Sequence, residues 1–293
     1  MATRTGNLPI GFRRGGSAWQ KNLPALAKWA KAGGFDRIDL GRATADDIKA
    51  LRANGLDVGS SDLVDMGKIM ANDAAARKDA IAQNVAYIKE AAAAGAKVFF
   101  TCIIPGDAAR KRSENYALAV ESFGPIAKAC DAAGACLAIE GWPGGGPHLG
   151  NLCCNPETYR GLIKDLGSKS VGVNYDPSHL IRMGIDHIRF LQEFAPRVWH
   201  VHGKDTEIID EAVYELGLYQ SSAFAKGHGF GEHVWRYTIP GHGCARWIDI
   251  CKLLKAAGFK GAVSVELEDE NFNGSEDGEK AGLLYSLSFL KSV

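Results

Sequence analysis

Short apolar runs alternate with stretches of helical period along the whole chain. Runs at 8–11, 37–40, 56–59, 98–102, 136–140, 171–176, 198–202 and 262–266 read as strands, each bounded by polar or glycine-containing segments. Between them apolar positions recur every three to four residues. Ile81, Val85, Ile88 and Ala92 share one face of 73–94; Tyr116, Val120, Phe123 and Ala127 share one face of 115–133; Trp247, Ile250 and Leu254 share one face of 246–257. Further helices are expected over 44–54, 156–166, 186–195 and 278–292. Thr44 and Asp47 form a plausible capping pair, and Gly55, Gly95, Gly134 and Gly258 stand where helices should stop. Eight strands alternating with helices, with no linker or shift in composition, predict one α/β domain over 1–293: a closed (β/α)8 barrel with long loops at its C-terminal face. A doubly wound open sheet is the alternative, but GFRRGG at 11–16 does not match the G-x-G-x-x-G loop that usually follows its first strand.

A barrel of this kind carries its chemistry where the strands end. The fifth predicted strand ends CLAIE at Glu140, the sixth VGVNYD at Asp176, the seventh VWHVH at His202 and the eighth AVSVE at Glu266. Because side chains alternate along a strand, Ile139, Tyr175, Val201 and Val265 should face the helices. Ala138 with Glu140, Asn174 with Asp176, His200 with His202, and Ser264 with Glu266 should face the axis. The layer beneath the four strand ends is thus small or polar, where an inert barrel would carry Val, Ile or Leu. Three carboxylates beside one imidazole repel one another unless a cation joins them. The expectation is a divalent metal centre built from Glu140, Asp176, His202 and Glu266. Oxygen-rich ligands suit Mn, Mg or Co; Zn is compatible, though the lack of thiolate ligands argues against a structural zinc.

Other polar groups surround this set. His179, three residues past Asp176, can turn back over the centre and is expected to face substrate. Lys204 is placed either to touch a substrate oxygen or to neutralise the acidic cluster from behind. Trp142, just past Glu140, can stack on a sugar face or simply pack. His200, one layer below the rim, is expected to be a hydrogen-bonded interior residue.

Composition narrows the class further. Lys plus Arg and Asp plus Glu each total 34, so the net charge is zero, and no basic footprint for nucleic acid exists. Seven scattered cysteines without a C-x-x-C pair read as reduced thiols of a cytoplasmic protein. Arg13 and Arg14 form a twin arginine with no apolar segment behind it, and no run of about 18 apolar residues occurs, so neither a secretion signal nor a membrane span is expected. Glycine is the outlier: 35 residues, against roughly 20 at an average usage of ~7%. The surplus gathers in two predicted loops, 141–154 (including Gly146) and 203–245, which places flexible backbone around the mouth of the site.

The motifs IEGWP at 139–143, DPSH at 176–179, HVHGKD at 200–205, PGHG at 240–243 and VELED at 265–269 resemble those of the xylose-isomerase-like TIM-barrel superfamily, in particular its sugar phosphate isomerase/epimerase and inosose dehydratase-like group. The resemblance covers nearly the whole chain. It implies the same four metal ligands, with Glu140 and Glu266 flanking the substrate carbon as acid and base. The group includes ketose 3-epimerases, keto-inositol dehydratases, 3-keto-glycoside epimerases and lyases, and metal-dependent abasic-site endonucleases. The endonucleases use histidines from the early strands, whereas the first histidine here is His148. Ketose 3-epimerases carry an arginine six residues beyond the metal histidine, whereas this chain has Ile208. The long segment 203–245 replaces a short connection and is expected to form a lid or an oligomer contact, with His228 and His242 either entering the site or serving structure.

The resemblance therefore implies a metal-dependent isomerase or epimerase of a keto sugar, working by proton abstraction next to a carbonyl. A dehydratase or lyase acting on a keto-inositol or 3-keto-glycoside is the second reading, and a non-catalytic sugar-binding relative the third. A small carbohydrate is the expected partner, with no nucleic acid and no membrane; the long loops and aromatics also suit a homo-oligomer.

Overall fold

A computed structural model of the protein describes residues 2–145 and 149–293, so Gly146 and His148 of the sequence reading lie outside the described residues. Eight strands close a parallel barrel: β1 (Ile10–Arg13), β2 (Arg37–Leu40), β3 (Asp57–Asp62), β4 (Val98–Cys102), β5 (Cys136–Glu140), β6 (Val171–Tyr175), β7 (Val198–Gly203) and β10 (Val263–Val265). Strand β10 lies between β1 and β7, so the end of the chain seals the cylinder. Strands β8 (Asp205–Ile208) and β9 (Trp235–Thr238) pair antiparallel to each other outside the barrel.

Alternation along the strands sets the two layers. Ile10 and Phe12 of β1, Ile38 and Leu40 of β2, Phe99 of β4, Leu137 and Ile139 of β5, and Val263 and Val265 of β10 are buried in the layer between barrel and helices. Each such side chain contributes on the order of 1.5–3 kcal/mol by leaving water. The intervening residues Gly11, Asp39, Gly59, Ala138, Asn174, His200 and Ser264 form the inner floor.

Around the barrel run α1 (Leu23–Gly33), α2 (Ala45–Ala53), α3 (Ala74–Ala94), α4 (Arg112–Ala133), α5 (Pro156–Leu166), α6 (Pro177–Arg182), α7 (His187–Phe194), α8 (Asp210–Leu216), α9 (Trp247–Ala256) and α10 (Glu276–Ser292). Local chemistry explains their limits. Thr44 and Asp47 form a reciprocal capping box at α2, and Asp73 caps α3 through the Ala76 amide at 2.7 Å. Gly95 ends α3 at φ 119°, a conformation other residues rarely adopt.

The structure adds the short helix α6 to the sequence reading and departs from it in four further places. Strand β1 sits two residues later than 8–11, which brings Arg13 into the barrel mouth. Strand β3 runs on to Asp62 rather than ending at 59. Helix α1 was not expected: Leu23, Leu26, Ala27 and Ala30 do share a face, but alanines and Pro24 make that signal faint. Finally, segment 203–245 is not one loop, since it contains the β8–β9 hairpin and α8. The seven cysteines are free, and Cys244 is the exposed one. Among the described residues, no helix is long and apolar enough to cross a membrane.

Candidate metal and active site

The strand ends bring the acidic residues together at the barrel mouth. One ligand atom from each of Glu140, Asp176, His179 and Glu266 lies within 4.8 Å of the others. Asp176 directly follows β6 and caps α6: one of its oxygens accepts the Ser178 amide at 2.8 Å, with Pro177 at the first helical position. That leaves Oδ2 for the site. The single turn of α6 returns His179 over it, with Nε2 at 3.5 Å from both Asp176 Oδ2 and Glu140 Oε2. Asp176 Oδ2 and His179 Nε2 are buried and make no hydrogen bond. Buried polar atoms are normally paired. Two buried atoms without a hydrogen bond, beside two further carboxylates, are therefore a donor set that fits a divalent cation.

His202 approaches from β7. Its Nδ1 is 2.6 Å from Glu140 Oε1 and 3.4 Å from Glu266 Oε2, while Asn174 Nδ2 donates to Glu140 Oε1 at 2.7 Å. The four residues read as ligands from the strand ends are thus neighbours, and His179 joins them. Burial disfavours the charged imidazolium, but Glu266 and Glu140 outweigh it and raise His202 well above the ordinary histidine value. Burial likewise raises Glu140, yet the charge and hydrogen bond of His202, with His179 close by, hold it well below the usual carboxylate range. Cys102, at the end of β4, lies 3.8 Å from Glu140 Oε2; burial pushes its thiol well up, so it acts as a weak donor and not as a nucleophile.

Lys204 is fully buried. Its Nζ contacts Glu266 Oε2 at 2.5 Å, Glu268 Oε2 at 2.9 Å and Asp176 Oδ2 at 3.3 Å, and it sits 4.5 Å from the centre of the Tyr237 ring. Of the two roles open to it from sequence, the geometry displays charge neutralisation. Burial opposes the ammonium, but Asp176, Glu266 and Glu268 raise Lys204 well above its usual value.

The sequence reading missed Tyr237, Arg13 with its partner Asp62, and Asp39. Tyr237 comes from β9; its hydroxyl is 2.7 Å from His179 Nδ1, and burial pushes the phenol well up, keeping it neutral. Nothing in a stretch such as VWRYT announces that role, because only the hairpin brings it over the mouth. Arg13 makes a bidentate pair with Asp62 at 2.8 and 2.6 Å, and its Nε lies 3.2 Å from Glu266 Oε1. Its position at a strand end was the available signal, hidden by ending β1 at residue 11. Asp39 lies below, buried against His200 at 2.7 Å. His200 is thus the hydrogen-bonded interior residue expected.

Other candidates fall outside this cluster. His242 is exposed, its ring centre 4.9 Å from that of Tyr285 and 6.3 Å from that of Phe272. The PGHG segment instead wraps Asp205, which accepts the amides of Gly241 and Ala245 and the Trp247 indole N–H. His228 is half-buried and pairs with Glu270 at 2.8 Å. Trp142 is half-buried, and its carbonyl accepts from Asn151 at 3.1 Å.

Fold and site together define a (β/α)8 barrel with a carboxylate–histidine centre at its C-terminal mouth. The chain belongs to the xylose isomerase-like TIM barrel family, whose model matches residues 26–293. It is 33% identical over 144 residues to the Bacillus subtilis protein YfiH, covering 48% of this chain and 43% of that one. It is 30% identical over 124 residues to inosose dehydratase of Geobacillus thermodenitrificans, covering 42% of this chain and 39% of that one. These matches span about two fifths of the relatives' lengths. The fold is shared with the Escherichia coli 3-keto-D-glucoside 4-epimerase YcjR (TM-score 0.68, 16% identity, 97% and 98% of the two chains) and with a D-psicose 3-epimerase (TM-score 0.70, 17% identity, 96% and 98%).

Proposed function

We propose that the protein is a divalent-metal-dependent isomerase or epimerase that removes a proton from carbon next to the carbonyl of a keto sugar or keto-sugar derivative. The observation that carries this reading is the clustering of Glu140, Asp176, His179 and Glu266 within 4.8 Å, with His202 Nδ1 against two of the carboxylates. Glu140, Asp176, His202 and Glu266 are assigned as ligands of Mn, Mg or Co, with Zn compatible. When bound, such an ion supplies Lewis-acid stabilisation of the negative charge that develops on a substrate oxygen.

The chain's own groups do the rest. Glu140 and Glu266 project from β5 and from the end of β10, so they reach a bound ring from different sides of the mouth. One accepts the proton and the other returns it, which inverts the centre when the two act on opposite faces. Asn174 holds Glu140 in place, and Arg13 and Lys204 hold Glu266. Tyr237 fixes His179, whose Nε2 lies 3.5 Å from Glu140 and Asp176 at the edge of the centre. His179 is the substrate-side group of this scheme, while Lys204 neutralises the carboxylates and Trp142 and His242 stay outside the cluster.

The similarity to inosose dehydratase supports a second reading, in which a β-hydroxyl or alkoxide leaves after the same proton removal and His179 protonates it. Incubation of the metal-loaded protein with 3-keto-glycosides, keto-inositols and free ketoses separates the two. An inverted centre or a shifted carbonyl means isomerase or epimerase, and an enone or released aglycone means lyase. Glu140→Gln and Glu266→Gln are each expected to abolish turnover; full activity in either variant defeats the two-carboxylate scheme.

A further inference from the structure

A second buried cluster lies one layer beneath the mouth, made of Asp39, His200 and His202. Asp39 projects inward from β2 and is fully buried. Its Oδ1 accepts the Ser60 amide at 3.0 Å and the Ser264 hydroxyl at 3.0 Å, and its Oδ2 accepts His200 Nε2 at 2.7 Å. Gly59 packs so closely that a Cβ there would sit 1.8 Å from Oδ1. The carboxylate is therefore clamped from three sides, and its position is set by strands β2, β3, β7 and β10 together.

His202 divides its ring between the two layers. Nδ1 faces Glu140, Glu266 and Asn174 in the mouth. Nε2 points down, buried and without a hydrogen bond, 3.8 Å from Asp39 Oδ2. The ring lies beside Phe100, with centres 5.2 Å apart. A histidine that ligates a metal commonly donates its other N–H to a carboxylate, which fixes the tautomer and aims the ligating nitrogen. We propose that Asp39 is the positioning residue for His202: it receives Nε2–H and so commits Nδ1 to the site. This inference rests on the metal reading above and adds the nitrogen that coordinates and the group that selects it. The same three residues are not read as a second metal site, because both Asp39 oxygens already accept hydrogen bonds from Ser60, Ser264 and His200.

The test uses the full-length protein labelled with 15N-histidine and titrated with Zn2+ as a diamagnetic probe. Long-range 1H–15N spectra, assigned with a His200→Asn control, are expected to show His202 Nδ1 shifted by the metal and Nε2 still protonated, at one ion per chain. Asp39→Asn is expected to weaken zinc binding by roughly 10–100-fold, with unchanged circular dichroism. A metal shift on Nε2, two ions per chain, or wild-type affinity in a folded Asp39→Asn variant overturns the proposal. If that variant does not fold, the wild-type nitrogen assignment decides alone. A wild-type chain that binds no zinc, or binding that survives Asp176→Ala undiminished, overturns the metal reading and this proposal with it.

Discussion

Lys204→Met tests the electrostatic design of the site. The ammonium sits among Asp176, Glu266 and Glu268, and its side chain is 2% exposed. Methionine preserves most of the volume and removes the charge. Glu268 is a third exposed and counts for little, so the loss falls on Asp176 and Glu266, which are left facing each other without the cation. Removing one partner of a buried ion pair costs about 3–5 kcal/mol. For a domain of this size, at about 2–4 °C per kcal/mol, the metal-free protein should melt roughly 10 °C lower. A divalent ion should recover part of that, since ligand at 100 times its Kd adds ~2.7 kcal/mol. The variant has no ammonium competing for the same oxygens, so its metal-induced rise in Tm should exceed that of the wild type. Thermal melts in EDTA and in excess Mn2+ read both quantities. A metal-free Tm within about 2 °C of wild type, or a smaller metal-induced rise in the variant, refutes the reasoning.

Three further outcomes follow from contacts elsewhere. Gly59→Ala places a Cβ 1.8 Å from Asp39 Oδ1, and it should lower stability by about 3 kcal/mol or more in urea titrations; a change under ~0.5 kcal/mol means the floor is looser than described. Glu279 accepts from Ser17, Trp19 and Gln20, and these donors outweigh burial to lower its carboxyl below the ordinary value of 4.5. A depressed folded value adds stability that is complete above the unfolded value and lost as pH falls through the folded one. The stability gap between wild type and Glu279→Ala, about 1–3 kcal/mol at neutral pH, should therefore shrink on acidification below 4.5; a gap independent of pH contradicts the assignment. Tyr237→Phe removes the hydroxyl from His179 Nδ1 and keeps the ring over Lys204, so kcat should fall about tenfold with little change in Tm. Unchanged kcat would remove Tyr237 from the site.

The barrel was legible because its two periodicities survive in the sequence: strands two residues in period, helices closed by Gly95 or opened by Thr44 and Asp47. The site was legible for a related reason. Glu140, Asp176, His202 and Glu266 all stand at or just past the ends of strands, and alternation along each strand predicts which way they face. What stayed hidden depends on contacts distant in sequence. Arg13 meets Asp62 and Glu266 only once β1 and β10 are neighbours, and an error of two residues in β1 concealed it. Tyr237 reaches His179 only through the β8–β9 hairpin, whose strands are separated by 26 residues with no periodic signal. His242 is a site candidate in the sequence because PGHG is one of the family-like motifs and lies in the long 203–245 segment, yet that turn serves Asp205 and leaves the imidazole among aromatic rings. Asp39 lacked any motif; it is recognisable only as the group beneath His202.

Solvent exchange tests the central claim most directly. The Mn2+-loaded protein, incubated in D2O with keto sugars, 3-keto-glycosides and keto-inositols, should place deuterium on the carbon next to the carbonyl of at least one of them. The exchange should vanish in both Glu140→Gln and Glu266→Gln. Absence of exchange with every keto substrate by a metal-loaded, folded protein contradicts the account.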